Sequence, residues 1–111
     1  MKVHSTLGPG LLESSYVACL HFELVKSGLF VEIQKALPLI YETVKLECGY
    51  RIDVMVERKL IIEAKSVEAL NDLHLAQVLT YLKLSDCRLG LLMNFNVLRM
   101  KDGIRRIVNN L

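Results

Sequence analysis

Asp53, Glu63 and Lys65 are the residues in this chain best spaced for chemistry. They form a D-x9-E-x-K pattern within Tyr50 to Lys65, YRIDVMVERKLIIEAK. The stretch reads as two strands joined by a tight turn. Strand side chains alternate between faces, so Glu63 and Lys65 point one way while Ile62 and Ala64 point the other. Two acids and an amine gathered at one place make a metal-plus-lysine arrangement for attacking phosphate esters. The turn decides whether they gather. A two-residue loop at Arg58-Lys59 pairs Asp53 with Ala64 and sends the acids to opposite faces. A three-residue loop, or one bulge, pairs Asp53 with Glu63 or Lys65 and brings them together. The chemistry requires the odd offset, and that register is expected. Taken alone, the pattern equally describes an ordinary hairpin with charges on its wet face, since structural ion pairs are common.

Two helices must supply whatever else the site contains. Leu11 to Ser27 reads as a helix ended by Gly28, with an apolar stripe through Leu12, Tyr16, Leu20 and Leu24. Glu13 lies beside that stripe. It either faces a site or simply stabilises the first turn through the helix dipole, by a few tenths to about 1 kcal/mol. Val67 to Leu84 reads as the second helix, with Leu70, Leu73, Gln77, Tyr81 and Leu84 on one stripe. Gln77 is then an amide on the packed face. It is either satisfied by backbone or, if it shares a mouth with Asp53 and Glu63, positions a substrate. His74 reads as a surface residue.

The remaining segments complete a sheet. Phe30 to Gln34, Leu37 to Tyr41 and Val44 to Glu47 are strand-like, with Pro38 marking an edge. In the hairpin, Ile52, Val54 and Val56 are expected inward, with Arg51, Asp53, Met55 and Glu57 on the opposite, polar face. Arg88 to Phe95 is a nearly continuous apolar run suited to a central strand buried on both faces. Val97 to Lys101 reads as a short edge strand, Asp102-Gly103 as a turn and Ile104 to Val108 as the return strand. The order implies an α+β domain, sandwich-like, with a mixed sheet and helices packed on it.

Bulk properties narrow the function classes. The 111 residues suit one domain, and the hydrophobic fraction of 52% supplies a core and argues against disorder. Net charge is only +2, so any nucleic-acid contact must come from local clustering. Lys35, Lys45, Arg99, Lys101, Arg105 and Arg106 offer such contacts, although Arg105 and Arg106 cannot face the same way on a strand. A solvated basic edge is the bland alternative. No apolar run approaches the roughly 20 residues of a membrane span, and the first residues lack a signal-peptide pattern, so a cytoplasmic location is expected. Cys19, Cys48 and Cys87 are scattered and odd in number, and the three histidines form no metal motif, so neither a disulfide framework nor a zinc site follows.

The segments HSTLGPGLLESSY (His4 to Tyr16), YRIDVMV (Tyr50 to Val56), IIEAK (Ile61 to Lys65), HLAQVLTYLK (His74 to Lys83) and GLLMNF (Gly90 to Phe95) closely resemble the GxxExxY family. The signature itself spans Gly10 to Tyr16. That family is placed in the PD-(D/E)XK nuclease-like superfamily, and the resemblance covers almost the whole chain as one domain, residues 1–111. It implies a restriction-endonuclease-like core. Members usually carry more residues before the His4 segment, so the chain looks shortened at its start. Residue by residue, the resemblance implies Asp53 and Glu63 as ligands of one metal, Lys65 as the residue that orients or helps deprotonate the attacking water and steadies phosphate charge, and Glu13 as the helical acid that completes the metal site. Gln77 would position substrate or water, with Tyr81 packing beside it. Ile52 stands where the superfamily's name has proline. The implied cofactor is Mg²⁺ or Mn²⁺, in keeping with an all-oxygen donor set. The implied activity is hydrolysis of nucleic acid, DNA ahead of RNA, by a protein that pairs as a homodimer. The competing expectation is a nuclease-fold module that binds nucleic acid or a protein partner without cutting.

Overall fold

The structure, a computed structural model, describes residues 2–110. Two helices open the chain, α1 (Lys2–Leu7) and α2 (Glu13–Lys26). Five strands follow, β1 (Val31–Ala36), β2 (Leu39–Tyr41), β3 (Val44–Leu46), β4 (Arg51–Val56) and β5 (Leu60–Lys65). Helix α3 (Asp72–Ser85), β6 (Leu89–Asn94), a 3₁₀ turn (Met100–Gly103) and β7 (Ile104–Val108) complete it. The main sheet has the order β1-β4-β5-β6-β7, and β2 and β3 form a separate two-stranded ribbon. Among the described residues only β5 and β6 run parallel, and α3 is their crossover. The sheet is therefore mixed and flanked by helices, the α+β arrangement of a restriction-endonuclease-like core. Among the described residues no helix is long and apolar enough to cross a membrane.

Helices cover both faces, and neighbouring strand residues divide between two cores. Tyr16, Val17 and Leu20 of α2 pack with Val54, Val56, Ile62, Ala64, Met93 and Phe95. Val78, Tyr81 and Leu82 of α3 pack with Met55, Ile61 and Leu92 on the other face. This corrects the expected polar face of β4. Met55 is buried on the α3 side, because a helix covers the face expected to meet water. Ile52 joins that same cluster, out of step with Val54 and Val56. The change of step falls at Asp53, where β4 loses a rung on each side. The ladder to β1 omits the level of Gln34, whose φ is 49°. The ladder to β5 ends at Val54 and Ile62.

Helix limits differ from the sequence pattern at their starts. Leu12 is the residue before α2 and is 74% exposed, so the buried stripe begins at Tyr16. The second helix begins at Asp72, not Val67. Asn71 caps it by accepting from the His74 amide at 3.0 Å, and the His74 ring accepts from the Asn71 amide at 3.1 Å. A reciprocal cap satisfies two otherwise unpaired donors. His74 is thus a half-buried capping residue rather than a free surface one. Starting the helix later also changes which face packs: Val78, Tyr81 and Leu82 are buried, whereas Leu73 is 79% exposed. Leu37 is buried in the α3-side core and precedes β2, which lies in the ribbon and not at the edge of the main sheet. Val97 to Lys101 is not a strand. It leads into the 3₁₀ turn, which packs Met100 into the α2-side core before β7.

Candidate active site

The β4–β5 connection is a three-residue turn, Glu57-Arg58-Lys59, with Val56 paired to Leu60, Met55 to Ile61 and Val54 to Ile62. Glu57 and Arg58 both sit at φ 53°, and the Lys59 amide donates to the Val56 carbonyl at 3.0 Å. Continuing this register places Asp53 opposite Glu63, the odd offset that the chemistry requires. Glu63 lies on the α3 side of the sheet, since it alternates with Ile62 and Ala64 of the other face, and Asp53 as well as Glu63 acts on the Tyr81 phenol of α3.

The acids occupy the gap where the ladder ends. The Asp53 amide donates to Glu63 Oε1 at 3.1 Å, and the Ala64 amide donates to Asp53 Oδ2 at 3.0 Å. Two side chains thus replace backbone rungs between the diverging strands. Each carboxylate has one further oxygen, Asp53 Oδ1 and Glu63 Oε2. Glu63 is 3% exposed. Burial, and then the Asp53 charge, push its pKa from about 4.5 up to about 8, while the Asp53 amide and Lys65 pull the other way. Lys65 ends β5 two residues on, on the same face, half-buried and paired with Asn94 of β6.

The wall of the site comes from α3. Tyr81 is buried, with its ring 6.2 Å from that of Tyr50 in an edge-on arrangement. Its pKa is raised, first by burial and then by Glu63, Tyr50 and Asp53, which locates the phenol beside the acid pair. Gln77, one turn earlier, is half-buried on the flank of the packed face. Among the described residues it forms no hydrogen bond to the acids.

Glu13 reaches the site's end from the opposite face. Its Oε2 accepts from the Ser66 amide at 3.0 Å, one residue past Lys65. Among the described residues no three His, Cys, Asp or Glu side chains stand together as a ready-made metal cage. The structure therefore joins Asp53 with Glu63, sets Lys65 beside them, and keeps Glu13 at the neighbouring backbone. The pair still suits a hard divalent cation. Glu63 is buried, Asp53 is half-buried beside it, and the donors are all oxygen. Mg²⁺ keeps several waters and is commonly held by one or two carboxylates.

Asn94 is a site-supporting residue that sequence reasoning passed over. It is buried at the end of β6, accepts from the Val67 and Asn96 amides, and donates to the Val67 carbonyl at 3.0 Å. It pins the segment that follows Lys65. The signal was a polar residue closing an apolar strand. The basic residues divide as the strand geometry demands. Arg105 is paired with Leu92 and Arg106 with Leu91, so they lie on opposite faces of β7. Lys35 pairs with Glu32 at 2.7 Å, and Arg99 lies 3.8 Å from Asp102.

With this hairpin in view, the family comparison is decisive: the model of the PD-(D/E)XK nuclease superfamily matches residues 1–107. The chain belongs to that superfamily. On β4 and β5, Ile52-Asp53 followed by Glu63-Ala64-Lys65 repeats the order of residue types in that name, except for Ile52. Ile52 in place of proline is accounted for by its burial against α3, where an apolar side chain is all that the position requires. Comparison with curated proteins and with solved structures gave no match.

Proposed function

We propose that this PD-(D/E)XK protein is a metal-dependent phosphodiesterase acting on nucleic acid, of the GxxExxY type. The observation that carries the reading is the crossed pair of hydrogen bonds that locks Asp53 and Glu63 into one strand gap, with Lys65 on the same face. Asp53 and Glu63 would hold Mg²⁺ or Mn²⁺ through their outer oxygens. The bound ion supplies a water of lowered pKa and a polarised phosphoryl oxygen.

The chain's own groups do the rest. The Lys65 ammonium donates to the attacking water or to a non-bridging phosphate oxygen and offsets charge that grows in the transition state. Tyr81 and Tyr50 wall the acids from bulk water and strengthen that electrostatic effect. Gln77, on the flank of α3, would position substrate or water at the mouth. Glu13 stands at the far side of Lys65, with one oxygen on the Ser66 amide. DNA is the preferred substrate over RNA, the cytoplasm the place of action and a homodimer the working form.

A second reading is supported by the acid count at the pair itself. With one Glu13 oxygen engaged by Ser66, the fold would serve as a weakly catalytic or inactive module binding nucleic acid or a protein partner. One experiment separates the two. Plasmid, single-stranded DNA and RNA are incubated with the protein and Mg²⁺ or Mn²⁺, beside Asp53→Ala and Lys65→Ala. Cleavage lost by about two orders of magnitude or more in both variants supports the enzyme. Binding without cleavage by the unaltered protein supports the module.

A further inference from the structure

Lys65 is held at its backbone from two directions. Its carbonyl accepts from the Phe95 amide at 2.8 Å. The next amide, Ser66, donates to Glu13 Oε2 at 3.0 Å. These two anchors are themselves joined. The Phe95 ring stacks on the Tyr16 ring, 4.3 Å between centroids and 11° from parallel, and both rings are fully buried. Tyr16 lies one helical turn after Glu13 on α2. The contacts therefore close a circuit: Glu13, Ser66, Lys65, Phe95, Tyr16 and back to Glu13.

The start of α2 is fixed in the same way. The Tyr16 hydroxyl donates to the Gly8 carbonyl at 2.6 Å and accepts from the Leu11 amide at 3.1 Å. This ties the glycine loop to the first turn, where Glu13 is the opening residue. Gly10 sits at φ 94°, a left-handed conformation that lets the loop double back to the tyrosine. The spacing Gly10, Glu13, Tyr16 thus has a mechanical meaning. The tyrosine locks the helix end, and the locked end presents a carboxylate to one backbone amide.

We infer that Glu13 is a positioning residue that sets Lys65 through the Ser66 amide, acting as a hydrogen-bond acceptor and not chiefly as a metal ligand. The inference rests on the phosphodiesterase reading and names a part of that site. A carboxylate accepting from a backbone N–H makes a charge-assisted bond. Glu13 is exposed, so losing the bond leaves the fold largely intact. Its effect falls on geometry: a catalytic group displaced by about 1 Å can lose up to about a hundredfold in rate.

The test compares Glu13→Ala with Glu13→Gln, whose amide oxygen still accepts from Ser66. Cleavage kinetics are measured over a range of Mg²⁺ concentration, with amide hydrogen exchange at Ser66 in parallel. Glu13→Ala is expected to lower kcat about tenfold, with KM and the Mg²⁺ concentration for half-maximal rate within about twofold. Ser66 exchange should accelerate about tenfold or more. Glu13→Gln should recover most of the rate and most of the protection. If Glu13→Gln is as impaired as Glu13→Ala and both demand more Mg²⁺, Glu13 is a ligand and the inference is overturned. Unchanged kinetics in both variants overturn it as well. If the unaltered protein cleaves no nucleic acid, the phosphodiesterase reading falls. The latch is then judged on exchange alone: loss of Ser66 protection in Glu13→Ala with recovery in Glu13→Gln upholds it, and equal protection in all three overturns it.

Discussion

The backbone amide of Asp53 donates to the Glu63 side chain, so the first acid of the pair holds the second in place. The Asp53 carboxylate is held in turn by the amide of Ala64, the residue after Glu63. Neutral backbone groups keep the acids close, and their charges repel once Glu63 ionises above about pH 8. Four expectations about stability follow from this site and from the packing around it.

Metal-free protein should lose stability as pH rises. Glu63 keeps its proton in the folded state up to about pH 8, against about 4.5 for an ordinary glutamate. Between these values the folded state binds more protons than the unfolded one, so the free energy of unfolding falls with increasing pH. The full loss is on the order of a few kcal/mol. Urea denaturation with chelator at about pH 5 and about pH 9 checks it. Glu63→Gln should flatten the dependence, and a stability that rises across this interval contradicts the cause given.

In chelator at about pH 9, where Glu63 has lost its proton, Asp53→Asn should melt higher than the unaltered protein, by roughly 1 kcal/mol, because it removes repulsion yet keeps an oxygen for the Ala64 amide. Adding Mg²⁺ should reverse the order. Metal at tenfold its Kd stabilises the unaltered protein by about 1.4 kcal/mol, and Glu63→Ala should show no such gain. A lower melting temperature for Asp53→Asn in chelator would count against repulsion between the acids.

Leu73 and Val78 test the face of α3. Leu73→Ala should change stability by less than about 0.5 kcal/mol, because the side chain is exposed. Val78→Ala, at a fully buried position between α3 and the sheet, should cost about 1–3 kcal/mol. Equal costs in thermal unfolding would restore the stripe expected from the sequence.

Asn94→Ala leaves the Val67 and Asn96 amides without their side-chain acceptor and the Val67 carbonyl with the Asn96 side chain as its remaining donor. The expected loss is about 2–3 kcal/mol, with faster amide exchange across residues 66–71. Unchanged exchange there would show that other contacts hold this segment.

The hairpin was legible because strand alternation and turn length leave only two registers, and the chemistry selects one. The long apolar run into Asn94 likewise announced a central strand. What periodicity could not show was where helices begin. Leu12 and Leu73 fit an apolar stripe by spacing, yet the first precedes its helix and the second faces water once Asn71 sets the start. Alternation puts Met55 with Asp53 on one side of β4 and says nothing about which side a helix covers. The roles of Ser66 and Asn94 lie in backbone hydrogen bonds between distant segments, which no local spacing encodes.

The strand gap at Asp53 joins folding to function in the same atoms. Where the backbone ladder stops, the carboxylates themselves serve as the next rungs. A relative that kept the shape without the charges would carry asparagine and glutamine here, which preserve the acceptor oxygens. Alanine at either position would remove one of these two rungs and leave the rest of the ladder in place.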